Sequence, residues 1–161
     1  MPQLLLATLL LAAFWSTVPS ADAYVDPTTG RPSATRVLRP FDPPQHNWLS
    51  GHRGVDLDAG VGQPVLASGS GVVAFAGQVA GRPSVSIDHA DGIRTTYTPV
   101  FAAVSKGDVV EEGQVIGTLA PSFDGYPGLH WGALVGPDDY TNPLSLLDAP
   151  TIRLKPVDAL G

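Results

Sequence analysis

An all-β fold built on a small antiparallel sheet core is the class this sequence predicts, and three features predict it. Between residues 48 and 147, short runs rich in β-branched residues recur roughly every ten residues, the rhythm of an all-β domain. Turn formers separate the runs, with 18 glycines and 16 prolines in 161 residues. Nowhere does an apolar period of 3.6 last long enough for a substantial helix.

Taken in order, residues 1–23 read as a signal peptide. The apolar run LLLATLLLAAFW at 4–15 is followed by the small-x-small pattern ADA at 21–23, although MPQ supplies no Lys or Arg. A run of 12 residues is short for a bilayer that needs roughly 20, so no stable membrane span is expected after cleavage. Residues 24–47, YVDPTTGRPSATRVLRPFDPPQHN, are too rich in proline for a helix. They read as a linker that becomes an arm packed on the domain near RPFDPP.

The β domain follows at 48–147. Its expected strands are PVLA (64–67), GVVAFAG (71–77), SVSID (84–88), IRTTYT (93–98), DVV (108–110), VIGTL (115–119) and LHWGALV (129–135). HADG (89–92) and EEGQ (111–114) read as hairpin-like turns in which Gly92 and Gly113 can take positive φ. VSKGDVVEEGQVIGTL (104–119) has the pattern of lipoyl/biotinyl-type sandwich hybrids, so the core is expected as an open β-sandwich with a lipoyl-hybrid-like second half. A cofactor carrier of that type is disfavoured, because neither turn holds a lysine. NPLSLL (142–147) makes one helical turn or a last short strand, and 148–161 is a loosely held C-terminal tail.

Composition excludes several functions. With 9 basic and 15 acidic residues, a net charge of −6 and no basic cluster, no nucleic-acid partner is expected. The chain has no cysteine, so it has no disulfide framework. A metal could be held only by His, Asp or Glu.

SGHRGVDLDAG (50–60) places His52 and Asp56 four residues apart. On a straight strand they would stand about 13 Å apart, too far to share an ion. They converge only if the backbone bends, and Gly54 permits a bend. Alone, the pair is a weak signal and reads first as a surface loop that contains a histidine. His130 is the polar exception in the strand LHWGALV. Two ligands close in sequence and a third from a distant strand leave a fourth position for water, the open arrangement of a catalytic zinc.

GHRGVDLDAGVGQPVLASGSGVVAFAG, VSIDHADGIRTTYTPV, VSKGDVVEEGQVIGTL and GLHWGALV together resemble the M23 zinc metallopeptidases, the lysostaphin- or LytM-type peptidoglycan endopeptidases. The resemblance covers about residues 46–147. It implies a β core with a groove for a peptide and one zinc ion held by His52, Asp56 and His130. It also implies a bacterial secreted or cell-envelope location, with peptidoglycan peptides or another wall hydrolase as partner.

The sequence departs from the family at two positions. Family enzymes carry a histidine in a Y-x-H segment and another as the first residue of H-x-H. Here TYTPV has Pro99, and GLH has Gly128. The metal acidifies a water to make the nucleophile, but amide hydrolysis also needs proton transfer and an oxyanion donor. Proline and glycine side chains provide neither, so the catalytic residues are left unassigned. The expectation is a zinc-holding domain that is weak or inactive as a peptidase; the alternative is an active endopeptidase using substitute groups. His89, Asp124 and Asp58 are the candidates nearby. His89 reads as structural, Asp124 first as a turn residue and then as a base, and Asp58 as a carboxylate behind a ligand histidine. His46 reads as an idle arm residue, and Tyr97 as packed.

Overall fold

The computed structural model describes residues 24–147. The signal and tail readings fall outside the described residues. Strands β1 (Val37–Arg39), β2 (Gly54–Leu57), β3 (Pro64–Leu66), β4 (Gly71–Val79), β5 (Arg82–Asp88) and β6 (Arg94–Thr98) come first. They are followed by β7 (Val100–Ala102), β8 (Val109–Val110), β9 (Val115–Leu119), β10 (Leu129–Gly136) and β11 (Asp139–Thr141). A single 3-10 turn, Pro143–Leu146, closes the domain, and the Asn142 side chain caps it by accepting from the Leu144 N–H.

All seven runs expected as strands are strands. The unforeseen ones, β1, β2, β7 and β11, have only three or four residues each. Such segments are too short to show an alternation, and three of them lie beside proline or glycine.

The larger sheet runs β1-β2-β10-β6-β5-β4-β8, with β11 on the far end of β10; the smaller is β3-β9-β7. Every pairing is antiparallel. HADG is the expected hairpin between β5 and β6. EEGQ is a turn but no hairpin, because β8 pairs with β4 and β9 pairs with β3 and β7. It carries the chain from one sheet to the other. Gly92 and Gly113 take positive φ, at 87° and 76°.

The core lies between the two sheets. Side chains alternate along a strand, and β10 sends Leu129, Trp131 and Ala133 inward, all fully buried. Val55 and Leu57 of β2, Tyr97 of β6 and Val85 and Ile87 of β5 join them. Val65, Ile116, Leu119 and Val100 meet them from the smaller sheet. The opposite face of the larger sheet carries Asp56, His130, Thr96, Thr98 and Ser84, and these line a cleft.

Residues 24–47 pack more extensively than a linker. Tyr24 and Val25 are buried, the Val25 N–H donates to Ser68 O, and the Tyr24 hydroxyl bonds Asp91 at 2.9 Å. Fully buried Asp26 accepts from Thr28 N–H (2.7 Å), the Thr28 hydroxyl (2.6 Å) and Thr35 N–H (2.6 Å). One carboxylate thus folds the DPTTGRPSAT stretch around itself and leads it into β1.

His89 and Tyr97 belong to a buried chain of hydrogen bonds on the core side. Ser68 N–H donates to the Tyr97 oxygen at 2.9 Å. The His89 Nδ1 lies 2.9 Å from Ser70 O, which can only accept, so Nδ1 carries the proton. In the neutral ring Nε2 then accepts from Thr95 Oγ1 at 2.7 Å, and Thr95 accepts from the Tyr97 hydroxyl at 2.8 Å. Burial pushes the Tyr97 phenol up, and the bonds from Ser68 and Thr95 offset only part of that. Thr95→Val keeps the shape and strands two buried polar groups. It is expected to cost about 2–4 kcal/mol, at roughly 1–3 kcal/mol for each unpaired group, with zinc content unchanged; urea unfolding and metal analysis of the same sample check both.

Candidate metal centre

Three strands and one loop position the site. Asp56 pairs in register with His130 across β2 and β10, and His130 pairs with Thr98 across β10 and β6. His52 precedes β2 and is held by a backbone bridge to Asp42, with both N–H···O bonds made. His52 therefore sits on a bend, and its ring turns back over Asp56.

The three side chains meet. His52 Nε2, Asp56 Oδ1 and His130 Nδ1 form a triangle with every side 3.0 Å. His52 and Asp56 are buried, and His130 is partly open to the cleft. A tetrahedral zinc with bonds near 2.1 Å has ligand–ligand edges of about 3.4 Å. A triangle of this size fits such an ion after a small expansion.

The donor chemistry supports the same fit. His52 Nδ1 lies 2.7 Å from Pro40 O. A carbonyl only accepts, so Nδ1 carries the proton and the lone pair of Nε2 points into the triangle. There it faces a carboxylate oxygen and a second imidazole nitrogen. With His130 Nδ1 unprotonated, three lone-pair atoms at 3.0 Å from one another suit a cation between them. A ligand histidine whose other N–H is held by a backbone carbonyl is the usual support of a metal site.

Pro40 thus fills the supporting role expected of Asp58. Asp58 lies past the end of β2, is exposed, and makes no hydrogen bond to either histidine. Gly54 also serves differently than expected. Its φ is not positive; what matters is its missing side chain. A Cβ there would lie 2.4 Å from Trp131 O and 2.8 Å from the His130 ring.

The cleft above the triangle holds about 490 Å³. Its floor continues through Thr98 to Ser84, whose hydroxyls bond at 2.8 Å. Its walls include Arg39, Arg82, Tyr126 and Tyr140. Sequence reading missed these residues. The TTYT alternation carried a signal for Thr96 and Thr98, but Arg39 and Pro40 were hidden in a segment read as linker.

The remaining candidates separate. His89 faces the core and is absent from the cleft lining. His46 stacks on Trp48, with rings 4.5 Å apart, and both are exposed. Asp124 does line the cleft, 3.6 Å from Arg82. Desolvation raises its pKa, but the Tyr126 N–H, the Ser122 hydroxyl and Arg82 outweigh this and hold the carboxyl below its ordinary value. A general base at neutral pH needs the opposite shift.

Pro99 lines the cleft as well, and Gly128 stands at its edge. Gly128 has a φ of 91°, and a Cβ there would lie 2.2 Å from Leu57 O. The backbone at this position admits no side chain without moving.

Two histidine nitrogens and a carboxylate oxygen on the floor of an open cleft, in an antiparallel β domain, make a candidate centre for a single metal ion. The chain belongs to peptidase family M23, whose pattern matches residues 50–143. It is 46% identical over 164 aligned positions to an uncharacterized protein of Mycobacterium tuberculosis, covering 94% of this chain and 65% of that one. It is 35% identical to the DD-carboxypeptidase/endopeptidase Mpg of Neisseria meningitidis, covering 77% of this chain and 30% of that protein. The chain therefore spans less than two thirds of either relative. Among solved structures, the catalytic domain of the antimicrobial peptidase lysostaphin from Staphylococcus simulans superposes with a TM-score of 0.60 at 26% identity. That superposition covers 69% of this chain and 90% of the lysostaphin domain.

Proposed function

We propose that this chain is a zinc-holding M23 domain of the bacterial cell envelope that binds peptidoglycan peptides and hydrolyses them weakly or not at all. One observation carries the reading. The ligand triangle of His52, Asp56 and His130 is complete, while Pro99 and Gly128 stand where the resemblance implies the proton-transferring histidines. The export-signal pattern at residues 1–23 supports an envelope location, as does the likeness to a DD-carboxypeptidase/endopeptidase. Among the described residues, no helix is long and apolar enough to cross a membrane. The partner is the wall peptide itself, or another wall hydrolase whose access to the peptide this domain governs.

In this reading His52, Asp56 and His130 hold one zinc ion, which acidifies a water and polarises a carbonyl when bound. The chain's own residues orient the ligand: the Ser84 and Thr98 hydroxyls along the floor, and the Arg39 and Tyr126 side chains along one wall. An active enzyme using Asp124 as base is the lesser reading, because that carboxyl is held below its ordinary pKa.

The test incubates zinc-loaded protein with purified insoluble peptidoglycan. The chain is expected to sediment with the wall material. Peptides should appear, by mass spectrometry, at a rate lower by about 10²–10⁴ than for an M23 enzyme with both histidines, the usual cost of a missing general acid/base. Release at the full enzyme rate, abolished by Asp56→Ala, would overturn the weak-peptidase reading.

A further inference from the structure

We propose that Arg39 is the anchor for a carboxylate at the end of the bound peptide, which makes the cleft a receptor for peptide C-termini. This rests on the reading of the cleft as a peptide site and goes on to name the group it selects. Arg39 pairs in register with Asp56 across β1 and β2. The residues Arg39, Asp56, His130 and Thr98 therefore form one row across four adjacent strands. Neighbouring strands are about 4.8 Å apart, so the arginine backbone is one strand from a metal ligand.

The state of the guanidinium distinguishes Arg39 from the other arginines of the cleft. Arg82 is paired with Asp124 at 3.6 Å. Arg53 is occupied in holding its own loop, donating to the backbone oxygens of Asn47 and Leu49. The Arg39 guanidinium has neither an ion pair nor a hydrogen bond among the described residues. The guanidinium lies over the Tyr126 ring, its carbon 4.4 Å from the centroid. Asp56, its neighbour in register, already has its Oδ1 engaged by both histidines.

A guanidinium resting over an aromatic ring spends none of its N–H donors on that contact. Those donors match a carboxylate in a bidentate pair. The cleft is lined by Arg39, Arg53 and Arg82 against Asp56 and Asp124, in a chain with a net charge of −6. A half-buried, unpaired arginine beside an open metal site selects an anion, and on a peptide the anion available at a chain end is the carboxylate. Phosphate has related chemistry and is separated by the experiment.

Isothermal titration of the zinc-loaded full chain uses tetra-alanine with a free carboxylate and the same peptide as its C-terminal amide. The acid is expected to bind at least about 10-fold tighter, the effect of roughly one charge-assisted hydrogen bond. Arg39→Gln should remove that preference while keeping its zinc and its melting temperature. Arg39→Lys should retain part of it, and Arg82→Gln all of it. The proposal is overturned if acid and amide bind alike, if the acid shows no binding at millimolar concentration, or if the preference survives Arg39→Gln. Loss of zinc in Arg39→Gln overturns it too, since the residue would then belong to the metal frame. Inorganic phosphate binding tighter than the acid would reassign the arginine to a phosphate-bearing ligand. A parent chain that takes up no zinc when loaded, yet prefers the acid, sinks the metal reading and leaves Arg39 standing.

Discussion

His130→Ala is expected to empty the site, taking zinc from about one ion per chain to none, and Gly54→Ala is expected to do nearly the same without removing a ligand. Three protein ligands are the working minimum for a single zinc, so the first result follows from counting. The second follows from space. A methyl at position 54 would lie 2.4 Å from Trp131 O and 2.8 Å from the His130 ring. The backbone oxygen belongs to β10 and cannot give way without disturbing the pairing of β2 with β10 that aligns Asp56 with His130. Overpacking of this kind costs roughly 1–3 kcal/mol even in a forgiving core, and here the strain acts on the ligand itself. Metal analysis by mass spectrometry of dialysed protein reads both variants. Asp58→Asn serves as control and should keep its zinc, since the exposed Asp58 touches neither histidine.

The three candidate ligands that the fold brings together were legible in the sequence because each stood out from its surroundings. His130 interrupts a strand of apolar and small residues, and His52 and Asp56 flank a glycine. What held them in place was not legible. Pro40 fixes the tautomer of His52 through a backbone carbonyl, and a carbonyl leaves no trace in residue identity. Strand β1 has three residues within a proline-rich stretch, too few for an alternation to emerge. Without β1, Arg39 could not be placed beside Asp56.

Side-chain alternation explains which histidines could be sorted in advance. Along β6, Thr95 and Tyr97 face the core while Thr96 and Thr98 face the cleft. His89 bonds Thr95 and therefore belongs to the core side. The tyrosine that the family pattern places beside a catalytic histidine is fully buried here and bonded to Ser68 and Thr95. One strand thus carries a structural network on one face and the floor of the cleft on the other.

Restoring the two absent histidines should give unequal results. Pro99→His places a ring on the wall of the cleft and is expected to fold and to keep its zinc. Gly128→His is expected to destabilise the domain by about 3 kcal/mol or more. The left-handed conformation at a φ of 91° costs roughly 1–2 kcal/mol for a residue with a Cβ. The approach of that Cβ to Leu57 O, 2.2 Å, adds a backbone clash that no rotamer relieves. In a domain of this size such a loss lowers the melting temperature by about 10 °C or more. The double variant should therefore gain no wall-cleaving activity above that of Pro99→His alone. Thermal unfolding and peptide release measured on the same preparations decide the matter. Full activity in a stable double variant would mean that the chain lacks only two side chains. The expected failure would mean that the backbone before β10 has itself moved away from catalysis, with Leu57 O and a left-handed glycine occupying the space a second histidine requires.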